Sequence, residues 1–327
     1  MNPEALFADL QSDRHRRALG RAITLVESER PADREAAAAL IALAERNPPA
    51  GPTFRLGVSG TPGVGKSTFI EAFGLELLRR GHRLAVLAID PTSSLSGGSI
   101  LGDKTRMEVL TRQSDVYIRP SPNAMELGGV NAATRASILL CEAAGYDYVI
   151  VETVGVGQAE WQVHGMTDAF LLLAQPAAGD ELQGIKRGIL ELADHIVVNK
   201  ADRLPREAGL TAAELRRSLH LAPARPDGWT VAVATGSALS GEGLAAVADR
   251  LERYREQLPE AIGSNRERQR IDWLREVIKR ELLGKLHVYL RDAGLGNDQL
   301  QGLLDEHITL PVTANVILTD FLKSSKP

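Results

Sequence analysis

A single cysteine, Cys141, serves the whole 327-residue chain, and it sits in the apolar run Ile138-Leu139-Leu140-Cys141. That excludes a disulfide framework and reads as a small buried hydrophobe. The seven histidines are scattered and suggest no metal cluster. No apolar run approaches the ~20 residues of a membrane span. A net charge of −4 provides no global positive field to recruit nucleic acid or anionic lipid. The start, Met1 to Phe7, carries an early acid and no signal-like apolar core, so a cytoplasmic location is expected. What remains is an ordinary globular composition, 44% apolar and 24% charged. The length suits one large or two small domains.

One stretch organises the chain. Gly60-Thr61-Pro62-Gly63-Val64-Gly65-Lys66-Ser67-Thr68 fits G-x-x-x-x-G-K-[ST]. A strand is expected before it at 54–59, and a helix after it from Thr68 to Arg80. In such a loop the backbone N–H groups face phosphate oxygens, and the helix N-terminus favours the anion. Lys66 reaches the β- and γ-phosphates, and Ser67 offers its hydroxyl to Mg²⁺. The chain therefore binds a nucleoside triphosphate.

Ahead of this loop, residues 5–46 show helical spacing and 47–52 read as a Pro-rich linker. Beyond it, short apolar runs alternate with helical stretches. The expected strands are 54–59, 84–89, 116–119, 148–152, 169–174, 195–198 and 230–234. Several are unbroken, such as Leu84 to Ile89 and Ala169 to Leu173. Strands of that kind are covered on both faces, so the fold class is α/β: a mostly parallel sheet flanked by helices. Ligands then gather at the carboxyl ends of the strands.

The polar residues after each run fit that rule. Asp90 ends the second strand and is a candidate for Mg²⁺ or its waters. Past a Gly/Ser-rich segment stands Asp103, either a helix N-cap or a carboxylate that approaches the metal when the γ-phosphate is present. Glu152 and Gly155 follow the fourth strand in the place of an Asp-x-x-Gly, the acid near Mg²⁺ and the glycine N–H on the γ-phosphate. Gln158 lies three positions beyond Gly155 rather than beside it, which leaves open a role in holding the attacking water. Lys186 and Arg187 follow the fifth strand and serve either phosphate charge, a partner or a solvated helix face. The metal candidates are thus Ser67, Asp90, Asp103 and Glu152; the catalytic candidates are Lys66, Asp103 and Glu152.

Asn199-Lys200-Ala201-Asp202, directly after the sixth strand, selects the base. A carboxylate at Asp202 accepts from guanine N1–H and the exocyclic amine, whereas adenine offers an acceptor there and no amine. Asn199 faces the base edge, the Lys200 stem covers the ring, and Ser237-Ala238-Leu239 resembles the loop whose N–H meets guanine O6. GTP is favoured over ATP. From about 259 the sheet pattern stops, and Ile271, Leu274, Val277, Ile278, Leu282 and Leu286 recur at helical spacing. Further helices are expected at 297–306 and 311–323. The division expected is a helical extension at 1–50, a nucleotide-binding domain at 51–258 and a helical arm at 259–327.

These residues resemble a known family. Gly60 to Thr68, Asp90-Pro-Thr-Ser-Ser, Gly97-Gly-Ser-Ile-Leu-Gly-Asp-Lys-Thr-Arg-Met107, Val151-Glu-Thr-Val-Gly-Val-Gly-Gln158, Gly179-Asp-Glu-Leu-Gln-Gly-Ile-Lys186 and Asn199 to Asp202 are similar to the methylmalonyl-CoA mutase-associated GTPases. The resemblance implies a homodimeric GTPase that chaperones an adenosylcobalamin-dependent acyl-CoA mutase, with segments 92–107, 153–166 and 177–188 as switch loops. Departures fall at Ala159 to Met166 and Pro122 to Leu127, where a partner could be met. With no Gln beside Gly155 and no cis arginine evident, slow turnover that a partner accelerates is expected. Asp305-Glu306-His307-Ile308-Thr309-Leu310 lacks the glycine of a cobalamin motif and reads as helix surface. Two alternatives stand beside this reading. One is a nickel-delivery GTPase, whose His- or Cys-rich ligands the sequence lacks; the other is a GTP-binding structural module.

Overall fold

The computed structural model describes residues 2–12, 15–28, 30–90, 107–122, 129–153, 159–176, 187–221, 223–296, 299–302 and 309–324. The chain divides into two compact units, Met1–Gln269 and Arg270–Pro327. The boundary falls inside one long helix, Pro259–Asp292.

The first unit is built on a seven-stranded sheet. Its strands are β1 (Phe54–Gly60), β2 (Leu84–Asp90), β3 (Val116–Pro122), β4 (Tyr148–Glu152), β5 (Ala169–Ala174), β6 (His195–Val198) and β7 (Ala232–Thr235). They lie in the order β3-β2-β4-β1-β5-β6-β7, and every pairing is parallel. The expected α/β class is therefore found. β1 sits at the centre between β4 and β5, with Val58 opposite Glu152 and Gly60 opposite Leu173. That register sets the phosphate loop and the acidic end of β4 side by side.

Alternate residues of each strand enter opposite layers, as the two-residue period requires. Leu56, Val58, Val86, Ile150 and Leu171 pack with Phe69, Phe73, Val247 and Leu251 on one face. Ala85, Leu87, Val149, Val151 and Phe170 pack with Leu6, Leu19, Ile23 and Cys141 on the other. The N-terminal helices Pro3–Leu10, His15–Val26 and Arg34–Arg46 are thus a layer of the sheet's own core. Under β6 a third cluster joins Ile196 and Val198 to Ala208, Ala212 and Leu215 of the helix Pro205–His220. Cys141 is buried, and desolvation raises its thiol well above the ordinary value.

At the amino ends of the strands, charges are paired rather than free. Arg55 holds Glu142 through two bonds of 2.7 Å. Arg266 holds Asp168 with bonds of 2.7 and 2.5 Å. Asn265 and Gln269 donate to Thr167 O at 3.4 and 2.8 Å, which ties the start of the long helix to the turn before β5.

The second unit holds the rest of that helix and the helix Leu310–Ser324. Its helices leave Ile271, Leu274, Ile278, Leu282 and Leu283 exposed. Among the described residues, no helix is long and apolar enough to cross a membrane.

Candidate functional site

The phosphate loop joins β1 to the helix Lys66–Arg79. Gly65 caps that helix at φ 94°, a left-handed value that disfavours any side chain. Space also requires glycine nearby: a Cβ on Gly60 would lie 2.5 Å from Leu173 O. Val64 is fully buried and anchors the loop in the core. Lys66 arches back over the loop, its Nζ donating to Gly60 O at 2.8 Å and Thr61 O at 3.4 Å. Burial lowers its pKa from the ordinary value, while Glu152 and then Glu160 favour the charged form. Desolvation by the walls and attraction by two acids therefore compete at one ammonium.

The acidic side of the site is built by β4. Glu152, at its end, is buried, and Ser67 Oγ donates to Glu152 Oε1 at 3.2 Å. Beside it, Thr153 Oγ1 donates to Ser59 Oγ at 2.8 Å and Thr153 N–H to Val58 O at 3.0 Å. These bonds lock the ends of β1 and β4 together. Asp90 closes β2, its backbone opposite Pro122. Asp103, Gly155, Gln158 and Lys186 lie outside the described residues, and so does the motif centred on His307. Of the four expected metal ligands, Ser67 and Glu152 are therefore the two whose side chains are described, and they are in contact. A hydroxyl and a carboxylate are hard oxygen donors, the kind Mg²⁺ takes.

The base-reading side follows β6. Asn199 is buried, its Nδ2 donating to Val64 O at 2.9 Å while its Oδ1 accepts from Ala238 N–H at 2.9 Å. One side chain thus straps the phosphate loop to the loop after β7. Its second amide hydrogen is the one that can meet a base edge. Lys200 is the single non-glycine residue with positive φ among those described, at 61°. Its Nζ donates to Gly63 O at 2.6 Å, so the stem lies across the space between the two loops. Backbone strain of about 1–3 kcal/mol held at a site like this marks a functional position. Asp202 stands two residues on, 4.0 Å from Arg203 Nε. Ser237 is buried, its Oγ accepting from Ser240 N–H at 3.1 Å, and Leu239 is exposed. Ala201 N–H donates to Gly236 O at 3.1 Å, completing the link between the β6 and β7 loops.

The structure brings Gly60 to Thr68, Glu152, Asn199 to Asp202 and Ser237 to Leu239 to one edge of the sheet. Two features escape the motif reading. One is the double use of the Asn199 carboxamide, a contact spanning 135 residues that no local pattern announces. The other is Glu160, fully buried in the helix Ala159–His164. An acid three positions before the buried Val163 shares its inward face, and that spacing was the signal available.

A family model described as methylmalonyl Co-A mutase-associated GTPase MeaB matches residues 19–289. The chain is 50% identical over 274 residues to a probable GTPase of Mycobacterium tuberculosis, covering 83% of this chain and 81% of that protein. It is 46% identical over 290 residues to the mitochondrial methylmalonic aciduria type A homolog of Mus musculus, covering 85% and 70%. Among solved structures, one titled as a LAO/AO transport system kinase superposes with a TM-score of 0.73 at 34% identity, covering 98% of this chain and 97% of that one.

Proposed function

We propose a function from one premise: this chain belongs to the methylmalonyl-CoA mutase-associated GTPase family. It is a GTP hydrolase on a P-loop GTPase fold, and it binds GTP and GDP. Within that activity we assign the following roles. Lys66 and the loop amides neutralise the β- and γ-phosphates. Asp202 reads guanine, Lys200 covers the ring, and Ala238 and Leu239 line the base. Ser67 and Glu152, with Asp90 and Asp103, hold Mg²⁺ directly or through water. When bound, the ion supplies positive charge to the phosphate oxygens. In hydrolysis, water oxygen bonds to the γ-phosphorus as the bond to the bridging oxygen breaks, leaving GDP and phosphate.

The biological role we infer is that of a nucleotide-switched chaperone for an adenosylcobalamin-dependent, methylmalonyl-CoA-type mutase. It gates cofactor loading and protects the mutase, and it acts as a homodimer. The match of the family model over residues 19–289 is the observation that carries this reading. Slow intrinsic hydrolysis, stimulated by the mutase, belongs to it. The test is size-exclusion and pull-down of the purified chain with such a mutase, in GDP and in a non-hydrolysable GTP analogue. A complex whose stability depends on the nucleotide is expected. Absence of any complex with either nucleotide would remove the chaperone role and leave the GTPase intact.

A further inference from the structure

A carboxylate that the roles above leave unused lies inside the site. Glu160 is 1% exposed, and its Oε2 has no hydrogen-bond partner among the described residues. A buried polar oxygen without a donor is costly, more so when it is ionised. Such an atom in a ligand site marks a place where a cation or its water is due.

The position of Glu160 is set by packing. Its helix, Ala159–His164, follows the segment at the carboxyl end of β4 and leads down into the amino end of β5. Glu160 therefore stands at the end nearer the phosphate loop. Val163, three residues on, is fully buried against β1; its Cγ1 would lie 2.9 Å from a Cβ at Gly57. Thr167 Oγ1 donates back to Val163 O at 2.9 Å, and Gly165 N–H to Trp161 O at 3.0 Å, closing the helix end. Trp161, beside Glu160, is 55% exposed, so the helix has one inward and one outward face. Glu160 is also close enough to act on the charge of Lys66, second only to Glu152.

Among the described residues the Lys66 ammonium can answer an orphan oxygen here, and the divalent ion that accompanies GTP is a second cation for it. Lys66 already donates to Gly60 O and Thr61 O and is the group that meets phosphate. Mg²⁺ retains several waters when bound, and each of those waters needs an acceptor. Glu152 Oε1 accepts from Ser67, and Oε2 of Glu160 accepts from no described residue. We propose that Glu160 is a positioning residue that accepts hydrogen bonds from the water shell of the nucleotide-bound Mg²⁺. It orients the ion without ligating it.

This inference rests on the GTPase reading, and the test separates the two. GDP affinity of the full chain is measured by calorimetry across a Mg²⁺ series and in EDTA, for wild type and Glu160→Gln. The amide keeps size and hydrogen-bonding capacity but removes the charge. The expected result is a loss of about 10- to 100-fold in apparent Mg²⁺ affinity of the GDP complex, the usual cost of an outer-shell partner. GDP affinity in EDTA should be unchanged. An unaltered Mg²⁺ dependence overturns the proposal. An equal loss in EDTA also overturns it, since Glu160 would then act through Lys66. A variant that fails to fold in EDTA marks the carboxylate as structural and overturns it as well. Failure of the wild type to bind GDP in Mg²⁺ would instead strike the nucleotide reading.

Discussion

Asp202 is where a single side chain selects the base. Its carboxylate accepts twice from guanine; an asparagine there offers one donor and one acceptor, the complement of xanthine N1–H and C2 carbonyl. Asp202→Asn should lower GDP affinity about 100-fold, from two charge-assisted bonds lost or weakened. XDP should then bind more tightly than GDP in the same calorimetric assay. Retained GDP affinity would mean that the base is read elsewhere. A second residue governs stability rather than binding. His195 is buried at the start of β6, neither ring nitrogen has a hydrogen-bond partner among the described residues, and burial, then Arg250, lowers its pKa to about 4. The folded state thus keeps the ring neutral while the unfolded chain protonates it near 6.5. Stability is present above pH 6.5 and lost as pH falls towards 4, by about 3 kcal/mol. Asp194 opposes this, because burial raises its carboxyl to about 6 against Arg225. The difference between wild type and His195→Leu removes that opposing contribution. Denaturant midpoints should move in favour of the variant as pH drops from 7 to 4; parallel pH profiles would refute it.

At the scale of elements, the strands were legible because sheets covered on both faces need unbroken apolar runs. β4, β5 and β6 begin and end where those runs do. β3 and β7 depart from their runs: β3 continues past the expected 116–119 to Pro122, paired along β2 as far as Asp90, and β7, expected at 230–234, begins pairing at Ala232, opposite His195, on a half-exposed edge strand. The expected helix 311–323 is found as Leu310–Ser324. Motif spacing located the loops at the strand ends, since phosphate and guanine recognition need fixed residue types there. It did not locate the Asn199 strap or Glu160, because both depend on how distant segments pack. Gly57 shows the same limit, a glycine inside β1 that no turn requires. Its reason is close approach: a Cβ would lie 2.8 Å from Phe170 Cδ2, 2.9 Å from Val163 Cγ1 and 3.1 Å from Thr167 Oγ1. Gly57→Ala should therefore cost about 1–3 kcal/mol by overpacking. It should also push out the helix that carries Glu160 and Trp161, changing Trp161 fluorescence. Urea denaturation with both signals unaltered would show that the helix is not seated on Gly57.

Across the whole molecule, the nucleotide site and the apolar arm fall in different units. Every site residue named above belongs to Met1–Gln269, while Ile271, Leu274, Ile278 and Leu282 belong to Arg270–Pro327. Their spacing of three and four places them on one helical face, and isolated exposed apolar residues need no explanation but an aligned stripe does. We assign that stripe to contact with a second copy of the chain. Burying several such side chains stabilises an interface by about 1.5–3 kcal/mol each before association costs, so two of them carry much of its stability. Leu274→Glu combined with Ile278→Glu should convert a dimer into a monomer in sedimentation equilibrium, because carboxylates cannot be desolvated there without partners. GDP affinity should remain that of the wild type, since the residues assigned to the nucleotide all belong to Met1–Gln269. A wild-type chain that sediments as a monomer would refute the dimer. A double variant that still dimerises would move the interface off this face, and one that loses GDP would show that the two units depend on each other for folding.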